Sequence, residues 1–300
     1  MQYFIFKTNS KTLYFPNVDK KDRFLWRLYT PYSWVTSIYW FLWENITFFR
    51  IKNKCLQNEL PNDYQNIFEL IGSDYTLSFN SGNRGEEQKI SVLAYNTKTN
   101  NKLFAKFSIK PKARQLSINE INILEKYGDN ILIPKLIDKK VNDDFVFFST
   151  TYIEGKQRKT IHLDNKILDL LLLISEKSSF KKNDLIFTFA HGDFCPWNII
   201  EQKENLKLID WEMAGEYPLG YDLFTYIFQT NFILKPKKSI DAIINENNKW
   251  ISLYFKEWDI NNWKFYLLQF IEKKLIIEEN KTGQTLLLKF ISLKTYAEKI

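Results

Sequence analysis

The sequence is poor in the residues that build zinc sites and disulfide cross-links. Its 300 residues include two cysteines and two histidines. This scarcity argues against a zinc site made of Cys and His ligands. Cys55 and Cys195 lie far apart in the chain, which does not indicate a disulfide framework. We therefore expect a reducing compartment, the cytoplasm.

The sequence also lacks a long hydrophobic run. Its opening residues, MQYFIFKTNSK, alternate between apolar and polar types, unlike the apolar core of a signal peptide. The longest apolar stretch, residues 34–49, is interrupted by Ser, Thr, Glu and Asn. Because a bilayer-spanning helix needs about 20 apolar residues, we predict no transmembrane segment.

Apolar and basic residues are plentiful. Hydrophobic residues make up 45% of the chain and aromatic residues 17%, which predicts a folded protein with a large core. The formal net charge is +7, and the first sixty residues hold nine Lys and Arg against four Asp and Glu. This asymmetry favours an anionic partner, a phospholipid surface or a phosphorylated substrate, although surface lysines also confer solubility. No nucleic-acid-binding module is recognisable.

We predict that residues 1–60 form an aromatic, basic N-terminal extension. Within it, residues 31–49 have the apolar spacing of an amphipathic helix, with an inner face made of Val35, Tyr39, Leu42, Ile46 and Phe49. Two interpretations remain open for this helix. It packs on the main body, or it lies peripherally at the inner face of the membrane, because tryptophans with nearby Lys and Arg favour the interface.

Residues 61–153 have the pattern of an antiparallel sheet with one helix. Three alternating segments around residues 75–79, 90–94 and 103–107 predict a meander. A helix is then expected to open at Ser117 with the capping-box spacing to Glu120 and to end near Gly128. Two further strands, in ILIPKLID and DFVFFSTTYI, complete five. From residue 154 to residue 300 the pattern is helical.

The densest chemical signal lies in HGDFCPWNII, residues 191–200, and in the following LIDWE, residues 208–212. Phosphoryl transfer from a nucleotide needs a base near the acceptor hydroxyl and oxygen ligands for Mg²⁺. Asp193 would be the base, and Asn198 and Asp210 would bind the metal. Cys195 is expected to pack in the loop; a low-pKa nucleophile is the alternative. Glu212 is either a further metal or substrate contact or a bracing group.

These motifs, with Gly215 and the sequence Gly220-Tyr221-Asp222-Leu223, resemble the aminoglycoside phosphotransferase and choline kinase family. The resemblance covers about residues 61–300. It implies an α+β, two-lobed, protein-kinase-like fold with a five-stranded antiparallel N-lobe, a helical C-lobe and a cleft between them. It also implies that Asp222 braces the catalytic loop through backbone hydrogen bonds and that His191 orients it.

The same resemblance places nucleotide-binding residues in the N-lobe. Lys106 occupies the position of the phosphate-binding lysine, and Glu120 that of its glutamate partner. Lys106 could instead be a solvent-facing strand lysine. Gly82 would lie over the phosphates, although its loop could be an ordinary hairpin turn. Residues Tyr152 and Ile153 would meet the adenine edge.

The sequence thus predicts an ATP- and Mg²⁺-dependent transfer of the γ-phosphoryl group to a hydroxyl of a small molecule. Residues 235–300 carry twelve lysines and eight acids, which does not favour a polycationic acceptor, whereas aromatic residues suit sugar rings. A sugar or lipid-linked glycan is the expected acceptor. The alternatives are an inactive kinase-like scaffold and an aminoglycoside- or choline-type kinase.

Overall fold

The computed structural model describes residues 1–31, 34–46, 53–128, 132–203, 205–279 and 284–299. The chain divides into two compact units, Met1–Glu154 and Gly155–Ile300. The structure confirms the α+β class, since the first unit is built on an antiparallel sheet and the second is mainly helical. The opening residues belong to the first unit.

The first unit contains an eight-stranded antiparallel sheet in the order β3-β1-β2-β4-β5-β6-β8-β7. The five strands predicted from the sequence lie side by side in it, and three strands from the opening segment extend the sheet beyond β4. The strands are β1 (Gln2–Lys7), β2 (Thr12–Pro16), β3 (Lys54–Leu56), β4 (Thr76–Asn80), β5 (Ile90–Asn96), β6 (Asn101–Ser108), β7 (Leu136–Val141) and β8 (Val146–Thr151).

Each face of this sheet has its own apolar cluster. One face buries alternate residues of β4, β5 and β6, among them Leu77, Val92 and Ala105, beneath helix α2 (Asn62–Ile71), which supplies Tyr64 and Ile67. The other cluster is mostly aromatic, and all of its members except Leu93 come from the opening segment: Phe4, Phe6, Leu13, Phe15, Leu25, Trp26, Trp43 and Leu93. The opening segment therefore completes the core of the first unit.

Helix α1 (Trp34–Asn45) turns a different face inward from the predicted one. Trp43 is buried and Trp40 is partly buried, whereas Val35 and Tyr39 are 55% and 48% exposed. The predicted inner face was wrong. The spacing of apolar residues had placed Trp40 on the polar side of the helix. In the structure its ring stacks on that of Trp43, with the ring centres 5.1 Å apart. Large aromatic rings bury the most apolar area, so they decide which face turns inward.

Helix α3 (Pro111–Tyr127) starts well before Ser117. Proline suits the first turn of a helix because its missing N–H would have no partner there. Ser117 lies inside the helix, and its hydroxyl is 2.7 Å from the hydroxyl of Ser108. The predicted capping box of Ser117 and Glu120 was therefore wrong, while the predicted end, before Gly128, is confirmed.

The second unit combines two small sheets with helices. A three-stranded antiparallel sheet has the order β10-β11-β14, and another has the order β13-β12-β9. Its strands are β9 (Lys156–Gln157), β10 (Ser179–Lys182), β11 (Leu185–Ala190), β12 (Ile199–Gln202), β13 (Asn205–Leu208) and β14 (Gly215–Pro218). Its helices are α4 (Asn165–Ser175), α5 (Tyr221–Phe224), α6 (Thr230–Leu234), α7 (Ile240–Lys256), α8 (Trp263–Glu279) and α9 (Gln284–Ala297).

A π-helical turn, Thr225–Gln229, joins α5 to α6. Around it packs an aromatic core in which the Phe224 ring lies 5.7 Å from that of Phe255 and 5.6 Å from that of Phe270. Many of the aromatic residues after Pro236 thus serve packing within the unit. None of the described helices combines the length and the apolar composition needed to cross a membrane.

Candidate functional site

The predicted catalytic loop follows β11 directly. Its second residue, Gly192, has a φ of +82°, and a Cβ atom there would lie 2.1 Å from the carbonyl oxygen of Met213. Both the left-handed backbone and the close approach require glycine. Gly192 therefore allows the chain to turn out of β11 and present Asp193.

Asp222 fixes the backbone of this loop. Its carboxylate accepts the backbone N–H groups of His191 at 2.6 Å and of Gly192 at 2.9 Å. The side chain is buried, and this burial raises the pKa of Asp222 above its usual value. The two N–H groups are the backbone contacts that the family resemblance implies for this residue.

The His191 side chain links the loop to the following hairpin. Its ring is fully buried and lies 4.6 Å from the Trp211 ring. Nε2 donates to the carbonyl of Ile209 at 3.0 Å, while Nδ1 accepts the backbone N–H of Asp193 at 3.3 Å. This pairing uses a neutral ring with its proton on Nε2. His191 therefore orients the loop from beneath.

The carboxylate of Asp193 is partly exposed and held at both oxygens. Oδ1 accepts from Nε2 of Gln229 at 2.6 Å, and Oδ2 accepts from Nδ2 of Asn198 at 3.0 Å. The Asn198 amide also donates to the backbone carbonyl of Asp193 at 2.8 Å. Each carboxylate oxygen has two lone pairs, so Asp193 keeps the capacity to accept a proton from a substrate.

Asn198 and Asp210 flank the open end of the β12–β13 hairpin. The backbone N–H of Ile209 donates to the carbonyl of Asn198 at 3.0 Å, which continues the ladder by one step. Asp210 has a φ of +69° and a ψ of +58°. This left-handed conformation is uncommon for a non-glycine residue and costs free energy, and such strain concentrates at functional sites.

The donor set at this hairpin end suits a divalent cation such as Mg²⁺. The Asn198 amide nitrogen is directed at Asp193, so its oxygen is the atom that can act as a ligand. A carboxylate oxygen of Asp210 lies within 4.8 Å of one of Glu212. Hard cations prefer such oxygen ligands. Glu212 therefore belongs with the candidate metal ligands, one of the two roles that its sequence position allowed.

Cys195 does not have the surroundings of a nucleophile. Its side chain is fully buried. Burial, together with the nearby charge of Asp193, raises the pKa of the thiol well above its usual value. The group is therefore a neutral thiol at physiological pH, which agrees with its expected packing role.

In the first unit, Lys106 on β6 and Glu120 on α3 form a buried ion pair. Nζ of Lys106 lies 2.6 Å from Oε2 of Glu120, and the two residues are 6% and 3% exposed. The alternative of a solvent-facing lysine was wrong, because α3 covers this face of the strand. A buried pair costs much desolvation, so its presence favours a functional role.

The other predicted nucleotide contacts also lie in the first unit. Gly82 has a φ of +68°, and its N–H donates to Oδ1 of Asn80 at 3.1 Å. A Cβ atom there would lie 2.3 Å from the carbonyl oxygen of Lys89, so the turn needs glycine. Tyr152 packs against the aromatic cluster of the opening segment, and Ile153 follows it.

Two site residues escaped the sequence reasoning. Gln229 contacts Asp193 from the π-helical turn, and Lys274 contacts Gln229 from α8. Neither belongs to a motif, and Lys274 is preceded in the sequence by another lysine. Gln229 and Lys274 are recognisable as site residues only from the packing of α8 on the π-helical turn.

Comparisons with known proteins bear on this geometry. Residues 162–236 match the family model described as the phosphotransferase enzyme family. The matched segment contains the catalytic loop, the β12–β13 hairpin and Asp222. This segment is similar to the phosphotransferase enzyme family. The family resemblance inferred from its motifs is thereby confirmed.

Solved structures of low sequence identity also match. An aminoglycoside-3'-phosphotransferase of type VIII is 14% identical, over 67% of this chain and 88% of that one, with a TM-score of 0.44. An aminoglycoside phosphotransferase from Streptomyces rimosus is 12% identical, over 64% and 91%, with a TM-score of 0.45. An amicoumacin kinase is 10% identical, over 81% and 96%, with a TM-score of 0.47. No curated protein matches the sequence.

Proposed function

We propose that the protein is an ATP- and Mg²⁺-dependent phosphotransferase that transfers the γ-phosphoryl group to a hydroxyl of a small molecule. The observation that supports this most is the loop geometry around Asp193. An ionisable carboxylate is held by two amide donors, on a loop anchored by Asp222, beside oxygen donors for a metal. An inactive scaffold would have no need to keep this set intact.

Each group has a defined task in this proposal. Asp193 accepts the proton of the acceptor hydroxyl as that oxygen attacks the γ-phosphorus. Asn198 and Asp210, with Glu212 nearby, would hold the cation, which neutralises charge on the phosphates. Lys106, oriented by Glu120, would bind phosphate oxygens. Gly82, Tyr152 and Ile153 remain proposed nucleotide contacts.

For the acceptor we propose a hydroxyl-bearing molecule that is not a polycation. A sugar or a lipid-linked glycan is the preferred candidate. The excess of lysines over acids in residues 235–300 supports this choice. It is also supported by Lys274, a buried cation two hydrogen bonds from Asp193. A polycationic acceptor would be repelled by this charge.

The decisive experiment incubates the purified protein with MgATP and a panel of sugars, aminoglycosides and amino alcohols. Mass spectrometry should show one acceptor class gaining a single phosphate. The same incubation with Asp193→Asn is the control and should give almost none. If no acceptor gains phosphate and the protein binds no MgATP, the phosphotransferase proposal fails and the inactive kinase-like scaffold takes its place.

The metal assignment makes a separate prediction. Asp210→Ala should abolish Mg²⁺-dependent nucleotide binding, because it removes an ionised ligand from the site. Calorimetric titration with MgATP measures this. Glu216→Ala, an exposed acid on β14, changes the charge equally and should bind as the wild type does. Equal affinity in the two variants would remove Asp210 from the metal site.

We also propose peripheral contact of α1 with an anionic membrane, which would suit a lipid-linked acceptor. Its outer side presents Trp34, Phe41 and Ile38, which are 76%, 63% and 52% exposed. The adjoining 3₁₀ segment Lys20–Leu28, whose Trp26 packs 5.5 Å from Trp43, carries four basic residues. Interfacial helices combine these two features. Residues 32, 33 and 47–49 of the predicted segment 31–49 lie outside the described residues.

Vesicle co-sedimentation tests this contact. The protein should bind vesicles rich in anionic lipid at low salt and less at high salt, since each basic residue contributes about 1 kcal/mol near the surface. The variant Trp34→Ser with Phe41→Ser should bind less. An absence of binding at low salt would leave α1 a purely structural role.

A further inference from the structure

Helix α8 carries a lysine in the interior of the second unit. Lys274 is 3% exposed. Its ammonium group lies 5.0 Å from the ring centre of Tyr221 and 5.8 Å from that of Phe270. Taking an ammonium ion out of water is unfavourable, so a buried lysine needs hydrogen-bond acceptors around it.

The ammonium group is the start of a two-step hydrogen-bond chain to Asp193. Nζ of Lys274 donates to Oε1 of Gln229 at 2.8 Å, and Nε2 of Gln229 donates to Oδ1 of Asp193 at 2.6 Å. Gln229 is itself 8% exposed. It is the last residue of the π-helical turn, a kind of turn that occurs frequently at functional sites.

The direction of this chain is fixed at both ends. A lysine ammonium group only donates, so it must face the amide oxygen of Gln229. The amide N–H₂ group is then turned toward Asp193, whose Oδ1 accepts its hydrogen bond. Without the lysine, the Gln229 amide could rotate and set its oxygen against the carboxylate.

We propose that Lys274 is a positioning residue that acts through Gln229 to hold Asp193 in the orientation of the base. The proposal rests on the proposed phosphotransferase function. Lys274 does not touch the reacting atoms in this role. Its hydrogen bond fixes the Gln229 amide, and that amide fixes one oxygen of the Asp193 carboxylate.

Other titratable groups surround this chain and belong to the same electrostatic environment. The charge of Lys274 also acts on Asp222 and on Cys195. Glu278, buried on the next turn of α8, acts on Tyr221, as do Tyr217 and Asp193. His191 faces Asp222 from the catalytic loop. Of these groups, Asp193 alone is joined to Lys274 through Gln229.

The test compares Lys274→Met with Lys273→Met. The two lysines are neighbours on α8, but Lys273 is exposed, so the control removes the same charge from the surface. With MgATP and the acceptor found above, Lys274→Met should lower kcat about tenfold or more, the scale of a lost charged hydrogen bond. KM for MgATP should stay unchanged. Lys273→Met should match the wild type in both constants.

Gln229→Leu provides a second route if Lys274→Met fails to fold. It breaks the hydrogen-bond chain while leaving the lysine, and should also lower kcat with KM for MgATP unchanged. Where both single variants fold, the double variant should lose little more than either alone, since residues that act as a unit are not additive.

Several outcomes overturn the proposal. One is a kcat in Lys274→Met equal to that of Lys273→Met, with an active wild type. Another is a change confined to KM for the acceptor, which would make Lys274 a substrate contact. If the wild type transfers no phosphate, the proposed function has failed, and NMR of the Gln229 side-chain amide still decides. The amide resonances should then shift in Lys274→Met and not in Lys273→Met, and unchanged resonances in both variants would end the proposal.

Discussion

The catalytic loop and the opening segment both bury side chains, but the buried groups differ in chemistry. Near Asp193, the buried polar side chains of Asp222 and His191 make hydrogen bonds of fixed direction. In the opening segment, Trp26, Trp43 and Phe15 bury rings against rings. Hydrogen bonds fix one geometry, whereas apolar contacts tolerate several. Substitutions in the loop should therefore mainly reduce activity, whereas substitutions in the opening segment should mainly reduce the free energy of unfolding.

The strongest test of this contrast is Asp193→Asn in the loop. The change keeps the size of the side chain but removes the group that accepts the proton, so turnover should fall by about a hundredfold or more. Steady-state kinetics measures the loss, and calorimetry should show little change in MgATP affinity. Glu216→Gln, on an exposed strand position, is the matched control. Wild-type turnover in Asp193→Asn would remove Asp193 from the mechanism.

The opening segment should respond to a substitution through stability instead. Trp43 is 2% exposed and Trp34 is 76% exposed, on the same helix. Trp43→Ala should lower the free energy of unfolding by about 3–5 kcal/mol because it leaves a large cavity among aromatic rings. Trp34→Ala should stay within about 0.5 kcal/mol of the wild type. Urea unfolding followed by circular dichroism measures both, and equal losses would contradict the described packing of α1.

The smallest effect concerns the two thiols, one in each region. Cys195 is fully buried with a pKa raised well above its usual value, whereas Cys55 is partly exposed and its pKa is raised by burial and by Glu59. Because the thiolate is the reactive form, a thiol reagent should modify Cys55 slowly in the folded protein and reach Cys195 only in denaturant. Cys55→Ser identifies the first site. Equal rates for both thiols in the folded protein would contradict the burial of Cys195.

Prediction from sequence succeeded best where local chemistry leaves few choices. Alternating residues gave the three strands β4, β5 and β6, and the HGD loop with its downstream Asn and Asp gave the motif that the family model matches. It failed on the start of α3 and on the inner face of α1. Pro111 is a signal for the start of α3, but the capping-box spacing at Ser117 was preferred to it. For α1, the spacing of apolar residues does not show which aromatic ring buries more area.

By itself the sequence determined the α+β class, the catalytic-loop motif and the order of the central strands, since each depends on residues near one another in the chain. Only the tertiary structure decided that the opening strands complete the sheet and that Lys106 is buried with Glu120. It alone joined Asp193 to Gln229 and Lys274, which are separated along the chain by whole helices and strands. No local pattern encodes such contacts, because packing between distant elements selects which polar side chains must share the interior.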